Sequence, residues 1–242
     1  MSAVDAIGAG LVLAYYGILA AIIMILTRVL RSPAEYARKT YHVMAALSLF
    51  VLLYGFENWW AAVASISLLL AAAYLGAPLL RRIPAFDRIR RLAQDGEIRR
   101  QILSLLGVFI LLISIFWGIG GPGLRYCAAA GAAAWGLGDA AAAIIGRRFG
   151  KKRKMPKLFD PDKTAEGTYA MMAAAFVGVF VTLTIFAPTP VGVNLLASVV
   201  LAGVSAVVEL MSRRGWDTLT VPLATALICW PVVTLLNMTV GL

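Results

Sequence analysis

The chain has 242 residues, of which 61% are apolar and only 14% charged, with a mean hydropathy of +0.86. Soluble domains average about 45–50% apolar and about 25% charged residues, so this balance excludes a soluble enzyme, a disordered chain and a disulfide scaffold. The net charge of +10 is read first as a membrane-topology signal rather than as a nucleic-acid footprint, and no nucleic-acid partner is expected.

Apolar runs of about 20 residues, the length needed to cross the hydrocarbon core, recur along the chain between charged or Gly/Pro-rich breaks. They predict an all-α, multi-pass membrane protein with spans near 6–27, 41–56, 59–79, 101–119, 124–146, 168–187, 191–211 and 219–240. Little chain is left over, so residues 1–242 read as a single integral membrane catalytic domain. The first basic residue, Arg28, follows the first apolar run, which therefore reads as a true span rather than a signal peptide. Cys127 and Cys229 both lie in apolar runs and imply no disulfide framework.

The connections alternate in charge. Of the 22 Lys and Arg residues, all but Arg125 fall in loops 28–40, 80–100, 147–167 and 212–218. Basic loops stay cytoplasmic, so both termini are expected outside, in the cell membrane.

Two acids fall inside or at the rim of predicted spans, where a charge is costly and marks a candidate functional site. Asp139 lies in AAAWGLGDAAAAIIGRRFG and Glu209 in VSAVVELMSRRG. Each also admits a structural reading: Asp139 as an acid bonded to a neighbouring helix, Glu209 as the partner of Arg213 at i,i+4. Around Asp139, Gly131, Trp135, Gly138, Ala142 and Gly146 recur at helical spacing, which serves either helix packing or the approach of a ligand.

The next loop reads GRRFGKKRKMPKLFDPDKTAEGTYA. Its basic run, including Arg147, Arg148 and Lys151, fits topology and attraction to anionic membrane lipids. Its end, DPDKTAEGT, sets Lys163, Thr164, Glu166 and Gly167 just before a predicted helix. There free backbone N–H groups and a lysine suit phosphate oxygens, and acids suit Mg²⁺. The plainer alternative is a helix cap supplied by Thr164 or Thr168. The P-loop pattern is absent. His42, the single histidine, lies in ARKTYHVMAAL beside Arg38 and Lys39, either as an interfacial polar residue or as a proton carrier. Asp217, in RRGWDTLTVPLATAL, opens the last span as an N-cap or as a further acid. Arg38, Lys39, His42, Asp139, Lys163, Glu166, Glu209 and Asp217 are all expected at or just beneath one face of the membrane.

These segments, in this order, resemble the patterns RK-x-x-H, GD-x-x-A-x-x-x-G-R-x-x-G, K-T-x-E-G-[ST] and E-x₇-DN-x-x-VPL of the CTP-dependent lipid kinases. That family includes dolichol kinase, phytol kinase and the fungal-type diacylglycerol kinase, and is distantly similar to the phosphatidate cytidylyltransferases. The resemblance covers residues 38–223, with Thr218 standing where the pattern has Asn. It implies transfer of phosphate from CTP to the hydroxyl of a membrane lipid alcohol of the polyprenol or dolichol type. It also implies Asp139, with Glu209 or Asp217, on Mg²⁺. Lys163, with Thr164, Glu166, Gly167 and the basic residues Arg147, Arg148, Lys151, Arg38 and Lys39, would hold the nucleotide. His42 or a carboxylate would accept the alcohol proton. The enzymatic rival is a cytidylyltransferase that makes a CDP-lipid; the rival from another class is a transporter.

Overall fold

The computed structural model describes residues 2–30, 34–80, 97–151, 159–161, 163–212 and 216–240. The rest of the basic run beyond Lys151, and Arg213 as the expected partner of Glu209, lie outside these residues. Eight long helices are described: α1 Ala3–Met24, α2 Ala34–Tyr54, α3 Trp59–Leu80, α4 Glu97–Ile113, α5 Arg125–Phe149, α6 Ala165–Phe186, α7 Val191–Met211 and α8 Asp217–Val240. Each coincides with one predicted span, and no strand occurs among the described residues.

Six of the helices, α1, α3 and α5–α8, are long and apolar enough to cross a membrane. The apolar stretches of α2 and α4 are shorter, Lys39–Tyr54 and Leu103–Ile119. The reason is local: α2 opens on AEYARKT and α4 on EIRRQ, so polar turns occupy the first part of each helix. α4 also loosens at its end, where the Gly120 N–H donates to Ile115 O at 2.9 Å, an i→i+5 bond. The chain then turns through Gly121, whose φ of 79° only glycine adopts readily, and Pro122 starts the next helical turn.

The helices fall into two compact units, Met1–Ser114 and Ile115–Leu242. In the first, α1 packs on α2 and α3, and α4 packs on α3 and α2. The start of α1 is fixed by Asp5, which is fully buried. One Asp5 oxygen accepts from the N–H groups of Glu57 and Asn58, both at 3.1 Å. The other accepts from Ser2 N–H at 3.1 Å and from Asn58 Nδ2 at 2.8 Å. A buried carboxylate is tolerable when its oxygens are satisfied in this way.

The second unit is an up-and-down bundle. α5 packs on α6 and α8, α6 on α7 and α7 on α8. α5 is the helix buried almost all round, with Tyr126–Gly136 inaccessible. Its Ala and Gly residues carry too little side chain to hold neighbours apart, so backbones come close. A Cβ at Gly131 would lie 2.3 Å from Pro222 O on α8, and one at Gly138 would lie 2.3 Å from Met171 Sδ on α6. The glycines around Asp139 are thus covered by two different helices. At Gly131 and Gly138 the packing reading of the small-residue stripe is the geometry observed. Ser205 and Thr225 (Oγ···Oγ1 2.8 Å) and Ser212 and Thr220 (2.6 Å) tie α7 to α8.

Candidate active site

The alternation of direction brings the end of α5, the start of α6, the end of α7 and the start of α8 to one end of the second unit. Each of these four elements delivers one charged group. Asp139 lies on α5, Lys163 immediately before α6, Glu209 near the end of α7, and Asp217 is the first residue of α8.

Lys163 is the centre of the cluster. Its Nζ donates to Glu209 Oε1 in a close ion pair and lies 3.4 Å from Asp217 Oδ2. Asp139 also acts on the Lys163 charge through space. Glu209 is 2% exposed and Asp139 8%, so both carboxylates are withdrawn from water and depend on cations or donors nearby. Burial alone would lower the Lys163 pKa. The carboxylates of Glu209, Asp217 and Asp139 outweigh it and hold the ammonium above the usual lysine value.

The segment that presents Lys163 is fixed at several points. Asp160 N–H donates to Leu210 O at 3.0 Å, which lays the chain against the end of α7, and Lys163 N–H returns to Asp160 O at 3.2 Å. Thr164 is extended (φ −127°, ψ 149°) and its hydroxyl accepts from Gly167 N–H at 3.2 Å, a standard N-cap. Glu166 Oε2 accepts from Lys151 N–H at 3.2 Å. Gly167 lies so close to α5 that a Cβ there would be 3.0 Å from Ala142 O. In the K-T-A-E-G run, then, Thr164 caps, Glu166 holds the departing α5 segment and Gly167 admits the neighbouring helix. Lys163 sends its side chain into the cluster. The cap reading of Thr164 is the geometry observed.

Arg147, Arg148 and Lys151 are exposed at the C-terminal end of α5, where basic residues complement the helix dipole. Asp217 sits at the N-terminus of α8, the favourable end for an acid, and its Oδ1 accepts from Thr218 N–H at 2.9 Å. Arg38, Lys39 and His42 stand on α2 in the first unit. There Lys39 is buried, and the half-buried His42 meets the ring of Tyr41 edge-on.

Among the described residues, no three His, Cys, Asp or Glu side chains converge as a group that would hold a metal by itself. Mg²⁺ ordinarily takes one or two carboxylates and completes its octahedron with waters and phosphate oxygens. The donor set of Asp139, Glu209 and Asp217 therefore fits Mg²⁺ as the companion of a bound nucleotide, not as a protein-only cage.

Fold and cluster define an integral membrane protein with a charged site at one end of a helical bundle. No family model and no solved structure matches the chain. It is 31% identical over 229 residues to the phytol kinase of Synechocystis sp., an alignment that covers 93% of this chain and 91% of that protein. The chain belongs to the CTP-dependent lipid kinase family, as its motifs resemble.

Proposed function

We propose that the protein transfers the γ-phosphoryl group of CTP to the hydroxyl of a membrane isoprenoid alcohol, at the cytoplasmic face of the cell membrane. The observation that carries this reading is the meeting of Lys163, Glu209 and Asp217, with Asp139 in electrostatic reach. Phosphoryl transfer is mainly positioning and electrostatic stabilisation, and this cluster offers a lysine ammonium and acids at a helix entrance. The similar Synechocystis protein is a phytol kinase, which supports an isoprenoid alcohol as acceptor. The polyprenol and dolichol types are longer members of that chemical class.

In this reading Lys163 holds the phosphates, and Asp139 with Asp217 would hold Mg²⁺ beside them. When bound, Mg²⁺ neutralises charge on the transferring phosphate. The lipid hydroxyl oxygen forms a bond to the γ-phosphorus as the bond to the β-phosphate bridging oxygen breaks. CDP leaves, and a carboxylate of the cluster accepts the hydroxyl proton.

Labelled CTP supplied to the purified protein in liposomes tests the proposal. Phytol and long polyprenols are offered as separate acceptors, and ATP as a separate donor. A lipid monophosphate and CDP are expected. Release of pyrophosphate with a CDP-lipid would make it a cytidylyltransferase instead, and solute uptake without nucleotide would make it a transporter.

A further inference from the structure

Two hydroxyls beside the charged cluster take no part in the chemistry proposed above. Ser212 is the residue on which α7 ends, three positions after Glu209, and Thr220 lies in the first turn of α8, three positions after Asp217. Their oxygens are 2.6 Å apart. Three hydrogen bonds share the two hydroxyl protons here: Ser212 to Val208 O at 2.7 Å, Thr220 to Trp216 O at 3.0 Å, and the bond between the hydroxyls. Each carbonyl also has a backbone donor, Ser212 N–H for Val208 O and Thr220 N–H for Trp216 O. Whichever hydroxyl gives its proton to a carbonyl, the other donates across the gap, so the bond between the helices persists in either arrangement.

This bond is not what pairs α7 with α8. Ser205 and Thr225 join the same helices deeper in the bundle, at 2.8 Å and fully buried. The Ser212–Thr220 bond instead fixes the two helix ends that carry charge, and each acid stands about one turn from it along its own helix. Lys163 pairs with Glu209 and lies 3.4 Å from Asp217 Oδ2, while Asp217 Oδ1 accepts from Thr218 N–H at 2.9 Å. Hydrogen bonds tolerate changes of only a few tenths of an ångström, so a small slide of one helix end would draw a carboxylate off the ammonium. We propose that Ser212 and Thr220 form a clasp that sets the separation of Glu209 and Asp217 and thereby holds the Lys163 ammonium in place. Both are positioning residues. That the held ammonium serves phosphate transfer rests on the function proposed above; the clasp itself does not.

Thr220→Val removes one hydroxyl and keeps the branched shape, and Ser212 still has Val208 O as its acceptor. In the full chain in liposomes, with CTP as donor, this variant is expected to lower kcat about tenfold, within the range that misplaced groups produce, with KM for the alcohol unchanged. Thr220→Ser keeps the hydroxyl and is expected to recover most of the wild-type kcat. Wild-type kcat in Thr220→Val, or an equal loss in Thr220→Ser, overturns the role in the reaction. A second measurement needs no activity: melting temperatures in detergent complete a double-mutant cycle. The drop caused by Thr220→Val is expected to shrink by about half or more where Lys163→Gln/Glu209→Gln has already removed the ion pair. The drop caused by Thr225→Val, at the deeper bond, is expected to be the same in both backgrounds. Equal drops for Thr220→Val in the two backgrounds overturn the clasp. So does a Thr225→Val drop that shrinks as much, because the coupling then belongs to the helix pair as a whole. If the background variant does not fold, Lys163→Arg replaces it, since a planar fork does not share the geometry of an ammonium. A wild-type protein that forms no lipid phosphate sinks the kinase reading instead, and the cycle alone then judges the clasp.

Discussion

Lys163 and Glu209, 46 positions apart in the chain, meet as an ion pair where α6 begins and α7 ends. The pair joins two helix ends, and it leaves neither charge to be changed alone without consequence for the other. Removing the lysine strands a buried carboxylate, and such stranding is costly even where the intact pair adds little net stability.

Lys163→Ala is therefore expected to lower lipid phosphorylation by about 100-fold or more, as when a group that stabilises developing charge is lost. It is also expected to lower the melting temperature. Lys163→Arg keeps the charge but replaces a point cation by a planar fork, and is expected to restore the melting temperature more fully than the turnover. Wild-type turnover in Lys163→Arg would remove the lysine from the phosphate site.

Asp139→Asn preserves size and most hydrogen-bonding capacity but deletes the charge. A drop of at least about two orders of magnitude in turnover is expected, with the protein still folded because a costly buried charge has been neutralised. Near-normal turnover in a variant with an unchanged melting curve would show that Asp139 serves packing alone.

The glycines of the second unit separate cleanly by environment. At Gly131 an added methyl would meet the Pro222 carbonyl at 2.3 Å, whereas at Gly203 it would meet nothing within 4 Å. Gly131→Ala is expected to destabilise the bundle by about 1–3 kcal/mol through overpacking. Gly203→Ala is expected to be neutral or stabilising by up to about 1 kcal/mol from helix propensity. Reversible unfolding in detergent reads both, and equal effects would contradict the close approach of α5 and α8.

The alternation of basic loops predicts an orientation. If loop 147–167 is cytoplasmic, as basic loops are, a cysteine placed at Met155 is expected to resist an impermeant thiol reagent applied to intact cells, and one placed at Pro190 to react. The opposite labelling pattern would invert the protein in the membrane.

The raised pKa of Lys163 fixes the sign of one pH effect. Its folded value lies above the usual 10.5, so the stability gained from its charged form is fully present below about 10.5 and is lost as pH rises through the folded value. Between about pH 7 and 9 the melting temperature should owe no change to this group. At higher pH the wild type should lose its advantage over Lys163→Gln. A difference between the two that widens with alkalinity would contradict the ion pairing.

Much of this arrangement is legible in the sequence, and for identifiable reasons. The helices follow from apolar length, and the shared end of Asp139, Lys163, Glu209 and Asp217 follows from the alternation of basic loops. What spacing does not reveal is which charges touch. Glu209 has Arg213 four positions on and Lys163 far away in sequence, so a local rule points only to the arginine, and the ion pair with Lys163 cannot be read from spacing. Likewise Gly131 and Gly138 look equivalent along one helix, yet one faces α8 and the other α6. Asp5 shows the converse. Its place three residues after Ser2 resembles a capping box, but its bonds to Glu57 and Asn58 depend on the turn between α2 and α3.

The connection between α5 and α6 is closed at its root. Glu166 binds the Lys151 backbone, and an added Cβ at Gly150 would meet the Thr164 side chain at 2.7 Å. The address of Lys163 is thus written in the ends of the two helices and the cap. A substitution that loosens this root, such as Glu166→Ala, is therefore expected to blur the position of Lys163 as well.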